Sequence, residues 1–112
     1  MRVLEELIEK IIAFREDRNW EKFHNPKDLA ISLNLEASEL LELFQWKSSE
    51  AAVEENYEKM KDEIADVIIY SLMLCHDLNI DVDSTIRNKI QKNADKYPIE
   101  KSYGLNKKYT DL

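Results

Sequence analysis

The sequence has little of the residues that make tight turns and covalent cross-links. Its 112 residues include one glycine, two prolines and one cysteine. Hairpin-rich β folds and phosphate-binding loops depend on glycine and proline at their turns. The single glycine, Gly104, lies near the C-terminus, which excludes a Walker loop and a Rossmann fingerprint. With 44% hydrophobic and 35% charged residues, the composition is typical of an all-α helical bundle.

An excess of positive charge is also missing. There are 23 acidic and 16 basic residues, giving a formal net charge of −7, which argues against nucleic acid polymers and anionic membranes as partners. The lone Cys75 indicates a reducing compartment, so we expect a cytoplasmic location. Acidic residues interrupt the apolar N-terminal segment too early for a signal peptide. The most apolar run, 67–75, is too short to cross a bilayer.

Apolar residues recur at helical spacing in four segments. They predict helices over about 3–18, 26–46 and 50–78, and a fourth from Asp81 or Asp83 to about Tyr97. In the first helix, the glutamates and Arg15 are assigned to the side away from the apolar stripe. Asn25 and Pro26 suit the start of the second helix. We therefore expect a helical domain over 1–98 and a mobile C-terminal tail over 99–112.

The second half of the third predicted helix is apolar around its whole circumference. Such a helix has to be buried on every side, and four helices cannot easily surround one of their own members. This half-helix therefore predicts a subunit interface and an oligomeric protein.

Carboxylates occur three residues apart on two predicted helices. Glu36 and Glu39 form one pair, and Glu63 and Asp66 form the other. Residues three apart lie on the same helix face, and both pairs adjoin apolar stretches. An all-oxygen ligand set without nearby histidine or cysteine suits Mg²⁺ or Mn²⁺. The alternative is a solvated acidic face.

Aromatic and basic side chains provide further candidates for a binding site. Trp20, His24, Trp46 and Tyr70 are candidates for a pocket that stacks on a nucleobase, although Trp46 and Tyr70 could instead be core residues. Lys89, Lys92, Asn93 and Lys96 share one face of the fourth predicted helix. That face is either a phosphate-binding strip or an ordinary solvated surface.

The motif Glu36-Ala37-Ser38-Glu39, followed by Glu63-Ile64-Ala65-Asp66, resembles the ExxE…ExxD signature of the MazG-like all-α nucleotide pyrophosphohydrolases. Segments 18–24, 43–47 and 66–70 look like the small dCTP pyrophosphatase branch of that family. The similarity extends over nearly the whole chain. Lys96, before Tyr97-Pro98, departs from the arginine that relatives often carry, and lysine offers no bidentate phosphate contact.

The resemblance implies a four-helix bundle of the all-α NTP pyrophosphatase type, acting as a homodimer or homotetramer. It implies Mg²⁺-dependent hydrolysis of a (d)NTP, most like dCTP, to monophosphate and pyrophosphate, with a role in sanitising the nucleotide pool. Metal-binding and catalytic roles would fall to Glu36, Glu39, Glu63 and Asp66. Phosphate contacts would fall to Lys89, Asn93 and Lys96. The alternative function is a non-catalytic helical module that binds a partner through the third helix.

Overall fold

The structure, a computed structural model, describes residues 2–112, and within that range every regular element is helical. The all-α prediction is therefore confirmed. Two short 3₁₀ turns, Glu21–Phe23 and Tyr109–Asp111, accompany five α-helices. The α-helices are α1 (Arg2–Asp17), α2 (Pro26–Glu42), α3 (Ser49–Asp77), α4 (Val82–Lys96) and α5 (Ile99–Ser102). No helix in the described range is both long and apolar enough to cross a membrane.

Helix starts follow the capping signals of the sequence. The Asn25 side chain accepts a hydrogen bond from the Asp28 amide at 2.9 Å, and Pro26 occupies the first turn of α2. Asp81 caps α4 through the Ser84 amide at 3.0 Å. A side-chain oxygen at the cap satisfies an amide that has no partner inside the helix. The predicted starts of α2 and α4 are thus explained by local chemistry.

Residues 2–80 form one compact unit, in which α1 and α2 both pack against α3. Its core contains Ile12 of α1, Leu29 of α2 and Met73 of α3. The prediction for Arg15 was wrong, because this residue is only 5% exposed. It lies three and four positions after Ile12 and Ile11, so it continues the apolar stripe.

The link between α2 and α3 differs from the prediction. Helix α2 ends at Glu42 rather than near Trp46, and the chain turns through residues 43–47. Helix α3 contains a kink at Asn56, whose φ of −118° and ψ of 17° are not helical. The Asn56 side-chain amide donates to the Leu43 carbonyl at 3.0 Å. The kink therefore satisfies a carbonyl just beyond the end of α2.

Residues 81–112 form a second unit, made of α4, α5 and the turn at 109–111. Within it, the rings of Tyr97 and Tyr109 meet edge to face at 6.1 Å. The Lys96 ammonium lies 4.9 Å from the centre of the Tyr109 ring. The segment after residue 98 thus contains helical turns, and the domain boundary at 98 stays a prediction.

Candidate active site

Three of the four predicted carboxylates come together between α2 and α3. Glu36 and Glu39 of α2 and Glu63 of α3 each place a carboxylate oxygen within 4.8 Å of the others. The three-residue spacing puts both α2 carboxylates on the side where α2 packs against α3. Glu36 and Glu63 are half-buried, whereas Glu39 is exposed.

The electrostatics of this cluster are unfavourable for three full negative charges. Burial raises the pKa of Glu36 to about 7, and hydrogen bonding to Glu63 and Glu39 acts in the same direction. For Glu63, the hydrogen bond with Glu36 lowers the pKa, but burial and the negative charge of Glu39 outweigh it, so the pKa is raised. The cluster therefore favours a shared proton or a bound cation.

Two oxygen atoms in the cluster also require a shared proton or a bound cation. Oε2 of Glu36 and Oε2 of Glu63 are buried and have no hydrogen-bond donor in the described part of the chain. An ionised carboxylate only accepts hydrogen bonds, so the two glutamates can bond to each other only when one holds a proton. A cation coordinated by both would satisfy these oxygens without a proton.

Asp66 lies outside this group of three but connects it to a neighbouring cavity. Its negative charge contributes to the raised pKa of Glu36 and of Glu63, and its side chain lines the cavity. Tyr70, one turn further along α3, also lines the cavity. Burial raises the Tyr70 pKa, and repulsion by Glu36 and Asp66 adds to it.

The cavity has a volume of about 590 Å³ and is mainly apolar. Two further residues predicted for base binding, Trp20 and His24, line it together with Tyr70. The Trp20 ring packs edge to face on Phe14 at 5.8 Å, which fixes its orientation. Most of the other apolar lining comes from α1 and α3: Leu7, Ile11, Ile68, Ile69, Leu72 and Met73.

Trp46 is not part of this cavity. It is 93% exposed and has a φ of +64°, a left-handed conformation that is uncommon for a bulky side chain. The alternative that Trp46 is a core residue is therefore wrong. Within a single copy, the structure brings together three of the four predicted aromatic residues and leaves Trp46 on the surface.

The predicted phosphate contacts belong to the second unit. Lys89, Asn93 and Lys96 are exposed on α4 at spacings that put them on one face. The backbone carbonyl of Asn93 accepts the Tyr97 amide at 2.9 Å. That these three residues contact the phosphates of a substrate stays a prediction.

Comparison with known proteins identifies the family to which this chain belongs. A family model described as the MazG-like family matches residues 31–112, a range that contains all four carboxylates. The chain belongs to the MazG-like family. It is 35% identical to dCTP pyrophosphatase 1 of Mus musculus, covering 97% of this chain and 67% of that protein. The corresponding Homo sapiens protein is 31% identical with the same coverage.

A MazG-like fold is also supported by a solved structure. The crystal structure of a pyrophosphatase from Archaeoglobus fulgidus is similar, with a TM-score of 0.79 and 43% sequence identity. The match covers 84% of this chain and 91% of that one. The protein is therefore a nucleotide pyrophosphatase of the MazG-like family, a family that uses a divalent metal. The non-catalytic alternative is set aside.

Sequence analysis missed one charged pair beside the cavity of this MazG-like enzyme. Arg15 lines the cavity and forms two hydrogen bonds with Asp77, the last residue of α3. The signal available was the position of Arg15 on the apolar stripe of α1, because a buried arginine requires an anionic partner.

Proposed function

We propose that this protein hydrolyses a pyrimidine deoxynucleoside triphosphate, most like dCTP, to the monophosphate and pyrophosphate. One observation carries the proposal: a carboxylate cluster and an apolar, aromatic-lined cavity adjoin each other, with Asp66 acting on the first and lining the second. A triphosphate requires a cation site, and a base requires an apolar pocket beside it. The relatives named dCTP pyrophosphatase 1 support this choice of substrate.

The cluster fits a hard divalent cation. All donors are carboxylate oxygens, two of them are buried without partners, and the pKa of Glu36 is raised to about 7 by burial and by its acidic neighbours. We assign Mg²⁺, with Mn²⁺ as the substitute, to Glu36, Glu39, Glu63 and Asp66. When bound, such an ion neutralises triphosphate charge and polarises the phosphoryl group that is attacked.

The chain's own residues would then orient the attacking water and exclude other water molecules from the site. Glu36 is the candidate to orient the attacking water and to accept its proton, through a carboxylate oxygen that the cation would leave free. Apolar walls formed by Ile69 and Met73 would limit the access of other water molecules. We assign the phosphate contacts to Lys89, Asn93 and Lys96.

Base recognition would combine stacking and edge contacts. Trp20 provides an aromatic face, which binds any base by roughly 1 to 3 kcal/mol. His24 and Tyr70 provide polar atoms at the wall of the cavity, and the buried His24 Nδ1 has no partner in the described residues. A pyrimidine leaves room for these rings. We therefore propose pyrimidine selectivity and a role in nucleotide pool sanitation.

We also propose a homodimer or homotetramer. Ile68, in the apolar half of α3, remains 51% exposed in the single chain, as do large parts of Leu7 and Phe14 on α1. Ile31, Leu35 and Leu41 of α2 are exposed as well. Leu7, Phe14 and Ile68 also line the cavity, so contact with a second copy would remove this apolar surface from water and cover the open side of the cavity.

Steady-state kinetics on the four dNTPs tests the proposed substrate. We expect kcat/KM to be higher for dCTP and dTTP than for dATP and dGTP. The His24→Ala variant should narrow this difference, because it removes a polar group from the base pocket. Equal kcat/KM values for dCTP and dGTP in the unmodified protein would contradict the pyrimidine pocket.

A further inference from the structure

Helices α1 and α3 end in the same way. After α1, Asn19 has a φ of +55°, and its amide donates to Glu16 while the Trp20 amide donates to the Arg15 carbonyl. After α3, Asn79 has a φ of +56°, with matching bonds from Asn79 to His76 and from Ile80 to Cys75. Both endings are Schellman motifs with asparagine in the left-handed position.

A partly buried ion pair joins these two helix ends. Arg15 donates from Nη1 to Asp77 Oδ2 and from Nη2 to Asp77 Oδ1, both at 2.8 Å. The side chains are 7% and 20% exposed, whereas each of the pairs Lys47–Glu55, Lys61–Glu58 and Arg87–Asp83 contains at least one side chain that is more than half exposed. Two parallel bonds from a planar guanidinium fix direction as well as distance.

The same arginine holds the start of the aromatic loop. While its side chain is fixed to α3, its carbonyl accepts the Trp20 amide at 3.1 Å. Backbone bonds continue from Phe23 to the Trp20 carbonyl at 2.9 Å and from His24 to the Glu21 carbonyl at 3.2 Å. Hydrogen bonds therefore connect Asp77 to Trp20 through Arg15, and the 3₁₀ turn that follows shapes the chain from Trp20 to His24.

We propose that Arg15 and Asp77 are positioning residues that set the affinity for the nucleobase by holding the Trp20–His24 loop at the wall of the cavity. The pair does not belong to the carboxylate cluster. Its loss should weaken nucleotide binding and leave the contacts of the phosphates unchanged. The proposal rests on the proposed function, because it assigns the base to this cavity.

Kinetics of the Asp77→Asn and Arg15→Lys variants test the proposal. Each substitution approximately keeps the size of the side chain that it replaces but removes the bidentate charged pair. We expect KM for dCTP to rise about tenfold while kcat changes less than about threefold, since a displaced loop weakens ground-state and transition-state binding alike. The inhibition constant of inorganic tripolyphosphate, which has no base, should stay unchanged. Glu58→Gln, which breaks an exposed ion pair with Lys61 on α3, is the matched control.

A second readout does not depend on activity. Hydrogen exchange of the Trp20 amide, followed by NMR, should accelerate in Asp77→Asn and stay at the unmodified rate in Glu58→Gln. Faster exchange in a protein without nucleotide hydrolysis would refute the proposed function and the role in base affinity, and would show only that the ion pair holds the loop. An unchanged KM with unchanged Trp20 exchange would overturn the positioning role. An equal rise in the tripolyphosphate constant, or loss of the folded state in both variants, would also overturn it.

Discussion

Glu36 links the charge of the site to the stability of the fold. Its pKa is raised to about 7 in the folded protein by burial and by Glu63 and Glu39, against an ordinary value of 4.5. Between these values the folded state binds more protons than the unfolded state. The stabilisation that this difference in pKa gives the folded state is complete below pH 4.5 and is lost as the pH rises through about 7.

Without divalent cations, we therefore expect the free energy of unfolding to fall between pH 5 and pH 8. Urea denaturation in the presence of a chelator measures it. Glu36→Gln should make the fall smaller, because the amide does not titrate, and Mg²⁺ should stabilise the unmodified protein most at the higher pH. A free energy of unfolding that rises over this range would contradict the proposed electrostatics. The lowered pKa of Asp77, caused by its hydrogen bonds from Arg15, acts only near pH 3.8 and below.

Trp46 is the second residue whose environment leads to a prediction. A tryptophan that is 93% exposed and has a positive φ contributes little to folding within one copy. If it stacks on the base in the assembled enzyme, Trp46→Ala should raise KM for every dNTP and change kcat less, because stacking is equal before and during phosphoryl transfer. Steady-state kinetics measures both constants, and an unchanged KM would remove Trp46 from the site.

Part of the site could be predicted from the sequence, and part could not. The meeting of Glu36 with Glu63 follows from helical spacing and apolar neighbours, which fix the face that each helix buries. Arg15 was missed because a charge was assigned to the polar side despite its position on the apolar stripe. Its partner Asp77 is 62 positions away, a separation that no periodicity reveals.

At the scale of elements, the helices and most of their starts were predictable because capping is local. The end of α2 and the kink in α3 were not predictable, since they are joined by the bond from Asn56 to the Leu43 carbonyl, 13 residues away. Propensity alone favours a continuous helix through Asn56, and a tertiary hydrogen bond overrides it.

The Asn56 bond leads to a prediction about the α2–α3 link. Asn56→Ala leaves the half-buried Leu43 carbonyl without its side-chain donor, so the free energy of unfolding should fall by about 1 kcal/mol. Chemical denaturation measures the loss. Glu54→Ala, at an exposed position on the preceding part of α3, is the control and should change stability less. Equal effects of the two substitutions would show that the bond does not stabilise this link.

For the whole molecule, exposed apolar surface predicts association. At roughly 25 cal/mol per Å², leaving a few hundred Å² of the α1–α3 surface in water costs several kcal/mol. Light scattering at micromolar concentration should therefore give a multiple of 13.3 kDa. Ile68→Glu should reduce the mass, whereas Val53→Glu, at an exposed position in the polar half of α3, should not. A stable 13.3 kDa species in the unmodified protein would contradict the proposed oligomer.

The central claim is that the carboxylate cluster directs cleavage of a nucleoside triphosphate between its α and β phosphates. The most direct measurement is the release of pyrophosphate and dCMP from dCTP, with and without Mg²⁺, by the unmodified protein and by Glu39→Gln, Glu63→Gln and Asp66→Asn. We predict equimolar products only with Mg²⁺, a loss of more than about a hundredfold in each variant, and unchanged or higher thermal stability as repulsion is relieved. Release of orthophosphate instead, or substantial Mg²⁺-dependent activity in all three variants, would contradict the account.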